Sequence, residues 1–195
     1  MKPFLLLILG IFMLNGCDDG GDSTSKALAD LQTAEATWEA LPASQQATYC
    51  FEEYYTFFSG STERLVTLVE NDTVTELHYD RTERYVDGEQ VEPPQVVDTW
   101  IEHDSEVGSH SKPARTIEEI FSTCREIILD ANQQLGKDST ASVEVDERGM
   151  LISCMRERAN CQDDCSVGVS LRGVAGTDRS TLTFGEDACQ ALLEN

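Results

Sequence analysis

Apolar residues alternate between two periods along this chain, and that alternation limits the fold more than any other feature. Over residues 24–41, Leu28, Leu31, Ala34, Trp38 and Leu41 recur every three or four positions, the spacing of a helix with one buried stripe. Ser23, Thr24 or Ser25 is placed to cap that helix and Pro42 to end it. Residues 48–58 are aromatic and alternate, with Tyr49, Phe51, Tyr55 and Phe57 on one side of an expected strand and Phe58 on the other. The run ERLVTLVENDTVTELHYD reads as a hairpin, its strands over 64–70 and 74–80 about the turn formers Asn71 and Asp72. A further strand begins at 84–86 before Asp87-Gly88 turns the chain. Residues 88–115 hold Pro93-Pro94, Gly108 and Pro113 and read as irregular, except for a strand over 96–102 carrying Trp100.

A second helix is expected over 116–131. Ile117, Ile120, Phe121, Cys124, Ile127, Ile128 and Ala131 form its stripe, and Glu118 and Glu119 complement the positive end of its dipole. SVEVDERGMLISC, turning at Arg148-Gly149, then SVGVSLRGV and STLTF read as strands, and a short amphipathic end covers 187–194. Helix, strands, helix, strands predicts an α+β fold: a largely antiparallel sheet with helices packed on one face. The regular strand–helix alternation of a doubly wound sheet is missing.

The first residues are an address. Phe4 to Leu14 is apolar apart from Gly10, but its eleven residues fall well short of the roughly 20 that span a bilayer. Lys2 precedes it and the small Gly16 follows, the order of a secretory signal. Leu14-Asn15-Gly16-Cys17 resembles the lipobox of bacterial lipoproteins. The resemblance implies removal of 1–16, lipidation of Cys17, and a mature protein whose partner is the membrane that holds its acyl chains. Its location is then the bacterial cell envelope, on the inner or outer membrane, facing periplasm or surface. Two or more chains hold firmly where one does not. Residues 17–25 read as the lipidated cysteine and a flexible acidic tether, and 26–195 as a single α+β domain.

Of seven cysteines, six remain after Cys17, an even number that implies disulfides in an exported chain. Cys124 lies in the helical stripe, and Cys154 shares a strand face with Met150 and Ile152, so a helix on a sheet brings them together. Cys161 with Cys165 then closes a small loop, and Cys50 with Cys189 ties the C-terminal end to the aromatic strand. A rival scheme joins Cys154 to Cys165 and Cys124 to Cys161. The intervals among Cys154, Cys161 and Cys165 lack the paired knuckles of structural zinc.

ATWEAL, TYCFEEYY, LVTLVENDTV, TIEEIF, SVEVDERGMLISC and CQDDCSVGVSL together resemble a broad family of bacterial secreted or lipid-anchored domains of unassigned function. The resemblance implies an α+β envelope domain and carries no catalytic residue with it.

Charge excludes some functions. A formal net charge of −22 argues against nucleic acid, which is bound through clustered Lys and Arg. No cofactor motif is present. His103, Glu106 and His110 in WIEHDSEVGSHS are weak metal candidates, since their spacing matches no helical pair of ligands. Asp163-Asp164 lacks the remainder of a calcium loop. Ser170 sits in a strand-like run rather than a nucleophile elbow, and Glu52 and Glu53, being adjacent on a strand, face opposite sides. The aromatic face of 48–58 reads as core. The favoured function is a non-catalytic envelope domain that binds a protein or ligand, and the alternative is a small hydrolase or metal-assisted enzyme using residues 102–110. Replacing Cys17 with serine is expected to release the protein from membranes or leave its signal uncut, as fractionation and intact mass would record. Acyl-free Cys17 on a soluble wild type would contradict the anchor.

Overall fold

The computed structural model describes residues 19–133, 139–159, 166–172 and 182–193. Its elements run α1 Asp19–Glu39, α2 Ala43–Ala47, β1 Thr48–Thr56, β2 Thr62–Glu70, β3 Thr73–Val86 and β4 Glu89–His103. A single 3-10 turn, Asp104–Glu106, follows. Then come α3 Ile117–Gln133, β5 Ser139–Val145, β6 Leu151–Arg158, β7 Ser166–Arg172, β8 Leu182–Phe184 and α4 Glu186–Leu193. The fold is α+β, and the eight strands form one antiparallel sheet in the order β4-β3-β2-β1-β7-β6-β5, with β8 also beside β1.

β1 is the hub. It pairs with β2 along its whole length, and its other edge is shared. Tyr49 to Phe51 pair with Phe184 to Leu182, while Glu52 and Glu53 pair with Arg172 and Leu171. Alternation along β1 therefore feeds two different layers. Tyr49 and Phe51 point into the main core beneath α1 and α3, where Leu31, Trp38, Ile117, Ile120 and Ile128 are buried with them. Each such side chain contributes about 1.5–3 kcal/mol on burial. The Tyr49 hydroxyl, 3.2 Å from the amide of Ile117, accepts its hydrogen bond, and Trp38 Nε1 donates to Glu118 at 2.6 Å. Both contacts fix where α3 starts. Thr116 and Glu119 complete that start as a reciprocal capping box, Thr116 N to Glu119 Oε2 at 2.8 Å and Glu119 N to Thr116 Oγ1 at 3.4 Å.

Cys50 points to the other side of β1. There it packs with Val66, Cys189, Leu192 and Leu193, so the short α4 lies across the face opposite α1 and α3. The Cys50–Cys189 disulfide is present, with Cα atoms 5.6 Å apart. Arg64 adds a polar tie. It bonds Glu52 at 3.0 Å, Asp80 at 3.1 Å and the Leu192 carbonyl at 3.1 Å, placing a cation at the negative end of α4.

Three expectations change. The strand expected over 96–102 is present, but the residues before it are not irregular: both belong to β4, Glu89–His103, the edge strand, paired to β3 from Val86–Glu89 to Glu76–His103. Pro93-Pro94 is tolerated because the pairing jumps from Glu83–Gln95 to Tyr85–Gln90, leaving the prolines in a bulge where no ladder donor is needed. Residues 19–25, read as a tether, continue α1 instead, since no proline interrupts them. Cys124 and Cys154 meet as expected, but as two buried thiols in contact rather than a bridge. The contact with Cys154, together with burial, pushes the Cys124 thiol far above its usual range. Cys17, Cys161 and Cys165 lie outside the described residues. Gly168 is required by packing, since a Cβ there would lie 2.0 Å from the Cys154 carbonyl oxygen.

The covalent tie spans 139 residues of sequence. Changing Cys50 and Cys189 together to alanine is expected to cost about 2–5 kcal/mol in denaturant unfolding. A peptide map of the non-reduced protein that joins Cys50 to any other cysteine would contradict the assignment.

Candidate functional site

Beyond the N-terminus of α3 the sheet continues, and the segment leading into that helix covers it. Val107 and Ala114 pack on Leu65, Leu77 and Tyr79. One buried carboxylate holds this segment down. Glu102, 1% exposed, sits near the end of β4. It accepts hydrogen bonds from the amides of Gly108 and His110, both at 2.6 Å, and from the Ser109 hydroxyl at 2.8 Å. His110 Nδ1 lies 2.7 Å from the same carboxylate. The His110 ring stacks on Trp100 with centroids 4.4 Å apart, and Trp100 stacks on Tyr79 at 5.0 Å. Burial resists ionisation of Glu102, but the bonds from His110, Ser109 and the two amides outweigh it and hold the carboxyl at about 2.

Between this segment and the sheet lies a cavity of about 250 Å³. Its floor is Leu65 with the rings of Tyr55, Phe57 and Tyr79, and Pro113 closes one side. Two ion pairs form its polar wall. Arg115 Nη2 donates to Glu53 Oε2, and Lys112 Nζ donates to Glu63 Oε2. Tyr55 links the first pair internally: its hydroxyl donates to Glu53 at 2.7 Å and accepts from Arg115 at 3.2 Å. Tyr79 donates to Glu63 at 2.9 Å, and Lys112 Nζ stands 5.4 Å from the centre of the Tyr79 ring.

Glu53 is fully buried, and its second oxygen, Oε1, has no hydrogen-bond partner. Arg115 Nε is likewise unpartnered. Burial raises the Tyr55 phenol well above its ordinary range, helped by the Glu53 carboxylate. Burial and the bond to Glu63 push Tyr79 to about 12. Burial opposes the charge on Arg115, but Glu53 and Tyr55 overcome it, so the guanidinium is held still more firmly protonated. At neutral pH both phenols are neutral donors, and each carboxyl group of the wall is matched by one basic side chain. The wall is polar with no net charge.

The metal candidates do not converge. Glu102 and His103 are neighbours on β4 and point to opposite sides, as strand geometry requires. His103 Nδ1 lies 3.5 Å from Glu76 Oε2, on the side where His78 also meets Glu76. His110 is on the other side with Glu102 and Trp100. Glu106 ends the 3-10 turn, where its carbonyl accepts from the Ser109 amide at 2.9 Å. Among the described residues no three His, Cys, Asp or Glu side chains are disposed to hold a metal. Asp163 and Asp164 lie outside the described residues, and Ser170 is within β7.

Glu52 and Glu53 do face opposite sides, and each meets an arginine, Arg64 on one face and Arg115 on the other. Sequence reasoning passed over the Glu53–Arg115 and Glu63–Lys112 pairs. The available signal was Glu53 itself, an acid between Phe51 and Tyr55 on a face that is otherwise aromatic. No protein-family model, curated protein or solved structure matches this chain.

Because the Glu102 carboxyl is depressed in the folded state, the stability it contributes is complete above the unfolded value near 4.3 and is lost as pH falls toward about 2. Glu102→Gln is expected to flatten the acid limb of the stability–pH profile between about 4 and 2. A variant profile parallel to the wild type would remove Glu102 as the anchor of this segment.

Proposed function

We propose that the protein is a lipid-anchored component of the bacterial cell envelope whose domain binds, without transforming, a small group seated in the Glu53–Arg115 cavity. The anchor rests on the Leu14-Asn15-Gly16-Cys17 motif after a short apolar run. The Cys50–Cys189 disulfide is in keeping with an oxidising compartment. The binding reading rests on one observation above all: a cavity of about 250 Å³ with an aromatic and apolar floor set against two ion pairs.

Chemistry argues for binding over turnover. None of the residues lining the cavity is serine, cysteine or histidine, and its tyrosines are held neutral by burial and adjoining carboxylates. The two carboxylates are already paired to cations, which suits recognition and leaves no free base. The volume lies just under the range of about 300–1,000 Å³ common for ligand pockets, and so fits a compact group or a single side chain.

Amide chemical-shift mapping with a library of small fragments tests this. Perturbations are expected to gather at Tyr55, Phe57, Leu65, Tyr79 and Lys112, and to shrink at least about tenfold in affinity when Leu65→Trp fills the floor. Fragments that bind only at the His78–His103 side, or equally well to the filled variant, would place recognition elsewhere.

A further inference from the structure

Exposed apolar side chains gather at one end of the sheet. Phe58, in the β1–β2 turn, is 84% exposed, Phe57 beside it 41%, and Tyr85 near the tip of the β3–β4 hairpin 51%. The two tips adjoin, since a Cβ on Gly60 would stand 3.8 Å from the Tyr85 ring. Exposed Val96 belongs to the same end, opposite Thr82, which pairs in turn with Thr62. Among the described residues, Ile101 and Val145 are exposed farther down the sheet. The β1–β2 turn, residues 56–62, carries no charge in a chain whose charged residues make up 26%. An uncharged turn that shows two phenylalanines to solvent marks a contact surface.

The N-terminal end of α1 comes to the same place. α3 runs along the direction of β1: its start meets Tyr49, and Asp130 near its end lies 3.9 Å from Arg156. Glu53 pairs with Leu171 and Ser153 with Ser170, so Arg156 on β6 stands roughly level with Phe57. α1 runs the other way, for Trp38 bonds Glu118 at the start of α3 while Glu35 pairs with Arg125 farther along. The rings of Trp38 and Tyr49 meet with centroids 4.8 Å apart. From that contact, helical rise carries Asp19 about 28 Å and strand rise carries Phe58 about 30 Å toward the same end. Asp19 follows Cys17 by two residues. Resting on the anchor reading above, we infer that the tip formed by Phe57, Phe58 and Tyr85 is a second membrane contact. It seats at the headgroup–acyl boundary of the bilayer that holds the acyl chains of Cys17.

Aromatic rings suit that boundary, where one side is apolar and the other wet. A second copy is a poorer occupant, because each chain brings a net charge of −22. Asp87 and Glu89, on the adjoining β3–β4 turn, keep that hairpin among the headgroups and favour zwitterionic over anionic lipid. The anchor holds the tip at high local concentration, so a contact too weak to recruit the domain still orients it. The domain then stands with α2 and the Asn71-Asp72 turn farthest from the bilayer.

The test uses the full chain as purified from membranes, reconstituted into phosphatidylcholine vesicles with plain or brominated acyl chains. Phe58→Trp places a reporter on the tip, and its exposure gives the larger ring room. Ser44→Trp, at an exposed position of α2, places one at the opposite end. Wild type supplies the background from Trp38 and Trp100. Brominated lipid is expected to remove at least about half of the added emission in Phe58→Trp, the depth of an interfacial contact, and none in Ser44→Trp. Vesicle flotation is read in parallel. Protein that floats with vesicles yet shows no quenching at the tip overturns the second contact and leaves the anchor standing. Equal quenching of both variants overturns the orientation. Protein that does not float contradicts the anchor reading itself.

Discussion

The ion pair between Glu53 and Arg115 decides how the rest of this domain is arranged around its sheet. Glu53 sits on the central strand, fully buried, flanked by β2 on one side and β7 on the other. A carboxylate there cannot be left alone, because removing one partner of a buried pair costs about 3–5 kcal/mol. Arg115 is its cation, and Arg115 immediately precedes the capping box that starts α3. Satisfying one charge in the sheet therefore fixes the entry point of the second long helix. It also draws residues 107–115 over the sheet instead of into solvent, and the cavity is the space this leaves.

The covering segment is held from its other end by Glu102. Its carboxylate gathers two amides, a serine hydroxyl and His110, while the Tyr79–Trp100–His110 stack supplies apolar contact. Polar anchors at both ends and a ring stack between them give a loop with little regular structure a defined path. The opposite face uses different chemistry. There a disulfide and Arg64 hold the short α4 against Cys50 and Val66. β1 divides the two regimes residue by residue, since Cys50 and Glu52 point one way and Tyr49, Phe51 and Glu53 the other.

Much of this was legible in the sequence, for physical reasons that are local. The stripes of α1 and α3, the aromatic alternation of β1 and the Asn71-Asp72 turn, with φ of 49° and 62°, all follow from short-range pattern. The Cys50–Cys189 pairing, reached as the remainder once Cys124 was matched with Cys154 and Cys161 with Cys165, is present, although Cys124 and Cys154 themselves stay thiols. Of β4 only the half carrying Trp100 was legible; its first half was not, because two prolines argue against a strand unless a bulge at a free edge removes the need for their amides. The site was hardest to read. His103 and His110 are close in sequence yet separated by the sheet, whereas Glu53 and Arg115 are 62 residues apart and in contact. Spacing along the chain records neither fact. Only the charge of Glu53 among aromatics pointed to a partner, and nothing local named which one.

Stability alone is a poor reason for this arrangement. Replacing a buried ion pair with apolar residues of similar volume is often neutral or stabilising, since desolvation consumes most of the Coulombic gain. A sheet centre already rich in Phe51, Leu65 and Leu171 has the surroundings for such a replacement. Here the pair is kept with only part of its hydrogen-bonding capacity used, and a partly satisfied network is less favourable than an apolar core. What the pair does secure is position: Glu53 ties the central strand to Arg115 at the start of α3, while the capping box and the Glu102 anchor hold the covering segment on either side of it.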